Sequence, residues 1–144
     1  MLLQCIVALL FLIPTFLFLS VVIPQTQLVL VIFWLASLFS DIFSTFKFYQ
    51  KNPCQFSQNE RNKIFVLLTK KLGFVRASIT FPIIFEVPLL LFFAFFPMQI
   101  LYAYVFNGSS FNLVASIATS FGIAAVGHLQ ATLKNTINKH TRES

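Results

Sequence analysis

Three side chains in this sequence have types that could do chemistry together. They are Asp41 in "FSDIFST", Glu86 in "FPIIFEVPLL" and His128 in "VGHLQATLKN". Two carboxylates and an imidazole can bind Zn²⁺ or a similar divalent ion, with one group left as a base, which is hydrolase-like chemistry. The same groups can pass protons along a relay. Ionisable residues in apolar membrane segments are costly, so each raises a functional expectation. Each also has a purely structural account. Asp41 can sit at a helix end among headgroups. A protonated Glu86 can donate to the carbonyl that Pro82 frees at Ser78, or to the one that Pro88 frees at Ile84. His128 can be satisfied by a backbone carbonyl or by Asp41, leaving packing alone. Thr45 shares a face with Asp41 at i+4, and Asn135 shares one with His128 two turns on.

The elements that must position these residues are apolar helices. The chain of 144 residues is 58% hydrophobic and only 10% charged, against about a quarter charged in soluble domains. A soluble bundle of this composition would expose large apolar patches. Runs of about 20 apolar residues cross the hydrocarbon as helices, and four qualify: about 2–23, 28–46, 77–97 and 111–133. The sequence therefore predicts an all-α integral membrane bundle of four transmembrane helices. The first run lacks the basic start and small-residue cleavage site of a signal peptide. "PQTQ" turns the first pair. "MQILYAYVFNGSS" connects the second pair, with Tyr102 and Tyr104 suited to an interface and Asn107-Gly108 to a turn. Asn107-Gly108-Ser109 is also a glycosylation sequon. Cys5 and Cys54 show no metal-binding or disulfide spacing.

Depths follow from a rise of 1.5 Å per residue. Asp41 and His128 each fall about 8 Å inside the end of their spans, and Glu86 about 14 Å deep. Three neighbouring spans thus bring the three residues to similar levels. Ala118 and Gly122 form a small-x-x-x-small pair in the fourth span, and Ser120, Ala124 and Ala131 lie on the face of His128, which suits close packing.

Charge supplies the orientation. All ten Lys and Arg lie in the central segment (Lys47, Lys51, Arg61, Lys63, Lys70, Lys71, Arg76) or in the tail 134–144 (Lys134, Lys139, Arg142). The positive-inside rule makes that side cytoplasmic and, with four spans, both termini as well. The +6 net charge is then a topology signal and not a nucleic-acid interface. In the central segment Ser57-x-x-Glu60 fits a capping box opening a helix over about 58–72, with Gly73 as its stop. Ile64, Phe65, Leu67, Leu68 and Leu72 form its apolar face. Lys63, Lys70 and Lys71 flank that face and are placed to meet anionic lipid headgroups, although docking on a partner protein fits too.

The stretch "SDIFSTFKFYQ…NERNKIFVLLTKKLGF" resembles a small uncharacterised archaeal and bacterial family of multi-pass membrane proteins. The family pattern is an Asp and a Thr ending one span, then a Glu-x-Asn usually followed by Pro, then a Gly. Asp41, Thr45, Glu60, Asn62 and Gly73 match it. Lys63 stands where the Pro is expected, and "PCQFSQ" is extra. The resemblance implies the architecture and the importance of Asp41, Glu60 and Asn62, but no reaction.

Three functions are compatible with the sequence. A non-catalytic accessory or structural subunit of a membrane complex suits the Phe-rich surface and small extramembrane mass. A membrane-embedded, metal-dependent hydrolase-like site would use Asp41, Glu86 and His128 as ligands or base. A small proton-coupled transporter would act as an oligomer, since four helices enclose little pathway. No nucleophile motif, P-loop or dinucleotide fingerprint is present.

Overall fold

The structure, a computed structural model, describes residues 2–51, 53–60, 62–106 and 111–143. The described chain is all-α. Helix α1 covers Leu2–Val22 and α2 covers Gln25–Lys51. Two short helices follow, α3 (Pro53–Asn59) and α4 (Lys63–Leu72). Next come α5 (Phe74–Phe81), a π-helical turn (Pro82–Glu86), α6 (Val87–Phe95) and α7 (Pro97–Val105). Helix α8 closes the chain over Leu113–Glu143.

Three helical stretches are long and apolar enough to cross a bilayer: Gln25–Lys51, Phe74–Val105 and Leu113–Ile137. Helix α1 adds a shorter apolar stretch, Phe11–Val22. The Gln25–Lys51 helix runs on past Phe46, where the sequence placed the end of a span, so Asp41 lies well inside its helix and not at its end. The Phe74–Val105 stretch runs past Pro97, because proline needs no N–H at a first helical turn and the preceding Phe96 N–H still reaches Phe92 O. Tyr102 lies within this helical stretch and is 4% exposed. It packs on Phe106 and Phe111. Tyr104 faces outward, and the Asn107-Gly108-Ser109 sequon lies outside the described residues.

Helix α8 is the centre of the fold and packs along α2, α6 and α1. Its buried Ala115, Ser116, Ala118, Thr119 and Ala125 let neighbours approach closely, which is how helices associate where water supplies no hydrophobic drive. Leu30 and Phe16 fill the space above Gly122, where an added Cβ would meet Leu30 Cδ2 at 2.7 Å and Phe16 Cδ2 at 3.0 Å. Outward faces carry large apolar residues such as Ile32, Phe39, Phe43 and Ile79.

The single helix expected over 58–72 is two helices. Ser57 falls inside α3, so the capping box does not form. Asn62 caps α4 instead, its Oδ1 accepting from Phe65 N–H at 3.0 Å, and Glu60 Oε1 accepts from Asn62 N–H at 2.9 Å. A carboxylate two residues before the cap can reach the chain only across this break. Gly73 ends α4 at φ 79°, ψ 161°, a region open essentially to glycine. Helix α4 is also apolar on two sides. Val66 packs with Phe56 and Phe74 in an aromatic cluster, with Phe65 partly buried against it, while Ile64, Leu67 and Leu72 face outward.

Candidate functional site

Helices α2 and α8 run parallel and in step. Trp34 and Asp41 are two turns apart on α2; Phe121, His128 and Asn135 repeat at the same interval on α8. Seven residues rise about 10 Å, so matching layers stack along the interface. Trp34 meets Phe121 edge-on with ring centroids 4.6 Å apart, over Ala125. One layer on, His128 Nδ1 lies 2.9 Å from Asp41 Oδ2. In the next, Asn135 Nδ2 donates to Ser44 Oγ and Thr45 Oγ1, both at 3.3 Å.

Glu86 enters from the Phe74–Val105 stretch, and the π turn aims it. Pro82 and Pro88 have no N–H, so the carbonyls of Ser78 and Ile84 lose their α-helical donors. The backbone accommodates this by widening: Val87 N–H bonds Pro82 O, five residues back. At 3.6 residues per turn, the extra residue rotates the rest of the span by about 100° relative to a regular helix. Such π turns are common at functional sites. Val87 and Leu90 then pack on the Trp34 core. Glu86 does not bond a freed carbonyl as a repair of the helix. Its Oε1 receives Trp34 Nε1–H at 2.9 Å and lies 2.7 Å from His128 Nε2.

His128 therefore bridges two carboxylates, one on each ring nitrogen. Side-chain exposure is 17% for His128, 22% for Asp41 and 13% for Glu86. Two hydrogen bonds require two protons. They give an imidazolium between two carboxylates, or a neutral imidazole beside one carboxylic acid. In either form the group carries one net negative charge.

The donor types suit a divalent ion, but the arrangement does not. Metal ligands must point at a common centre, and here the imidazole itself stands between the carboxylates. Among the described residues no group of three or more His, Cys, Asp or Glu is arranged to hold a metal ion.

Thr45 and Asn135 form the layer next to Asp41. Glu60 and Asn62 belong to the start of α4, where Lys63 Nζ also bonds Glu60 O at 3.0 Å. The expectation from sequence passed over Trp34 and Ser44. The signal for Trp34 was present: it is the chain's one tryptophan, and it stands two turns from Asp41. At the far end of the bundle, Ser20 shares a hydrogen bond with Thr119, and Gln27 Nε2 donates to Ser20 O. Compared with known proteins, the chain matches no family model, no curated protein and no solved structure.

Proposed function

We propose that this chain is a small proton-coupled membrane carrier, acting as an oligomer, whose proton-binding site is Asp41–His128–Glu86. The observation that carries the reading is the imidazole bridged between two carboxylates inside candidate spans. With the ring neutral, a proton arriving at Asp41 passes to Nδ1 while Nε2 gives its own to Glu86; once Glu86 releases that proton, the ring returns by exchanging tautomers.

Asp41 is the more exposed carboxylate and lies next to the polar layer of Ser44, Thr45 and Asn135. On the other side, Trp34, Phe121 and Ala125 close the interface with apolar surface. Entry is thus from the lysine-rich end. The proposed topology has four spans, α1 being the first, with both termini cytoplasmic, as the positive-inside rule favours. Membership of the resembled family is part of this proposal, and its Asp and Thr fall at the site and its neighbouring layer.

The test is flux in liposomes. Protein reconstituted into tight vesicles with an internal pH dye should dissipate an imposed proton gradient, with or without a co-solute. Glu86→Gln and His128→Ala should abolish the signal. Tight wild-type vesicles under every solute tried would sink the proposal. The outward Phe39, Phe43 and Ile32 favour a second reading, a non-catalytic subunit of a larger membrane complex. That reading predicts a stoichiometric partner on purification, retained by His128→Ala.

A further inference from the structure

Away from the triad, the lysine-rich end holds an open pocket of about 310 Å³. Tyr49 from α2, Pro53, Phe56 and Ser57 from α3, and Val66, Thr69 and Lys70 from α4 line it. Its size suits a small ligand. The walls are mainly aromatic and apolar, with the hydroxyl residues Ser57 and Thr69 among them and one lysine at the edge.

Thr69 is the anomaly. Many other helical Ser and Thr return their hydroxyl to a carbonyl three or four residues back, as in Ser37, Ser44, Ser78, Ser120 and Thr132. Thr69 is 6% exposed, yet its Oγ1 has no hydrogen-bond partner, alone among the described buried side-chain N and O atoms. A buried orphan hydroxyl is unfavourable and calls for an explanation. A ligand oxygen supplied through the pocket, beside the next residue's ammonium, provides one.

We propose that the Tyr49–Phe56–Thr69–Lys70 pocket binds an anionic phosphoester carried on an apolar body, and that the source is a membrane phospholipid. Lys70 Nζ pairs with the phosphate, Thr69 Oγ1 donates to it, and Tyr49 and Phe56 hold the adjoining glycerol and upper acyl chain. Lipid is favoured over a soluble phosphate by the apolar walls, and by the outward Ile64, Leu67 and Leu72 beside the exposed lysines of α4. That combination lies in a headgroup plane. The inference uses the membrane setting but not the proton-binding triad.

Native mass spectrometry of the full-length protein, released from detergent, tests it. The probes are dioleoyl phosphatidylglycerol, the matching phosphatidylcholine, phenyl phosphate and inorganic phosphate. Phosphatidylglycerol should be retained best. Thr69→Val and Lys70→Gln should each weaken its retention about tenfold, the scale of one charge-assisted hydrogen bond. Lys71→Gln, one residue away with the same charge, should change it less than twofold. Equal losses in the two lysine variants would mean diffuse surface electrostatics and overturn the pocket. Displacement by phenyl phosphate or inorganic phosphate at concentrations like those of the lipid would overturn the lipid source. Thr69→Val keeps the side chain's shape, so an unchanged melting temperature shows that lost retention is not misfolding.

Discussion

Trp34 and His128 meet on one oxygen atom. Both reach Oε1 of Glu86, the indole N–H at 2.9 Å and the imidazole nitrogen at 2.7 Å. The apolar core between α2 and α8 and the polar group beside it are therefore joined through a single carboxylate. Removing any one of the three side chains changes the surroundings of the other two.

The first consequence concerns His128. His128→Ala leaves two carboxylates without their bridge. Hydrogen bonds inside membrane proteins are worth about 0.6 kcal/mol on average, but stranding a buried charge costs about 3–5 kcal/mol. The expected loss is on the order of 2 kcal/mol, because one carboxylate can take up a proton. Adding Glu86→Gln to His128→Ala should recover part of it. Unfolding in mixed micelles checks this, and a double variant no more stable than the single one would contradict it.

Trp34 gives the site its own probe. It is the sole tryptophan, so emission from the wild type reports on Glu86 without labelling. Acidification adds a proton to the triad and removes its net charge beside the indole. Wild-type emission should therefore change with pH, and Glu86→Gln should flatten the response. A flat wild-type trace would show that the triad does not titrate. Trp34→Phe keeps the ring contact with Phe121 but loses the N–H donor, at a cost of about 1 kcal/mol.

Much of this site was legible in the sequence, for physical reasons. Asp41, Glu86 and His128 stood out because charge in apolar helices is expensive, and helical rise fixed their levels. The two prolines marked the stretch around Glu86 as irregular. They did not show how the irregularity resolves, because a freed carbonyl can be met by a side chain or by a wider turn. The sequence left Glu86 either as a repair or as a group aimed at partners; the backbone widens and leaves the carboxylate for Trp34 and His128. The break between α3 and α4 was hidden for a similar reason. Ser57 and Glu60 have the right types for a cap, but Asn62 does the same work closer to the apolar residues of α4.

Gly73 supplies a prediction about the backbone alone. Its φ of 79° with ψ of 161° is strained for any L side chain, and an added Cβ would meet nothing within 4 Å. Gly73→Ala should cost about 1–3 kcal/mol by conformation and not by collision. A lower melting temperature and faster proteolysis near the α4–α5 junction are the expected readouts. An unchanged melting temperature would mean that α4 and α5 tolerate another angle.

Gly122 makes the opposite case, where space is the limit. Gly122→Val would press on Leu30 and Phe16, and overpacking of this kind costs about 1–3 kcal/mol. Leu30→Ala should restore part of the stability in the double variant. Additive losses, measured by the same unfolding assay, would place the fault in the α8 backbone and not in its contact with α1 and α2.

The π turn at Pro82–Glu86 also has a mechanical consequence. Below it, α5 leans on the aromatic cluster through Phe74; above it, α6 leans on the Trp34 core through Val87 and Leu90. The Phe74–Val105 stretch is thus a shaft in two pieces, one held at its far end by Phe74 and the other held just past the wider coil by Val87 and Leu90. Glu86 is the last residue of that coil and stands between His128 and Trp34, so any change in the coil's winding would turn its carboxylate relative to both.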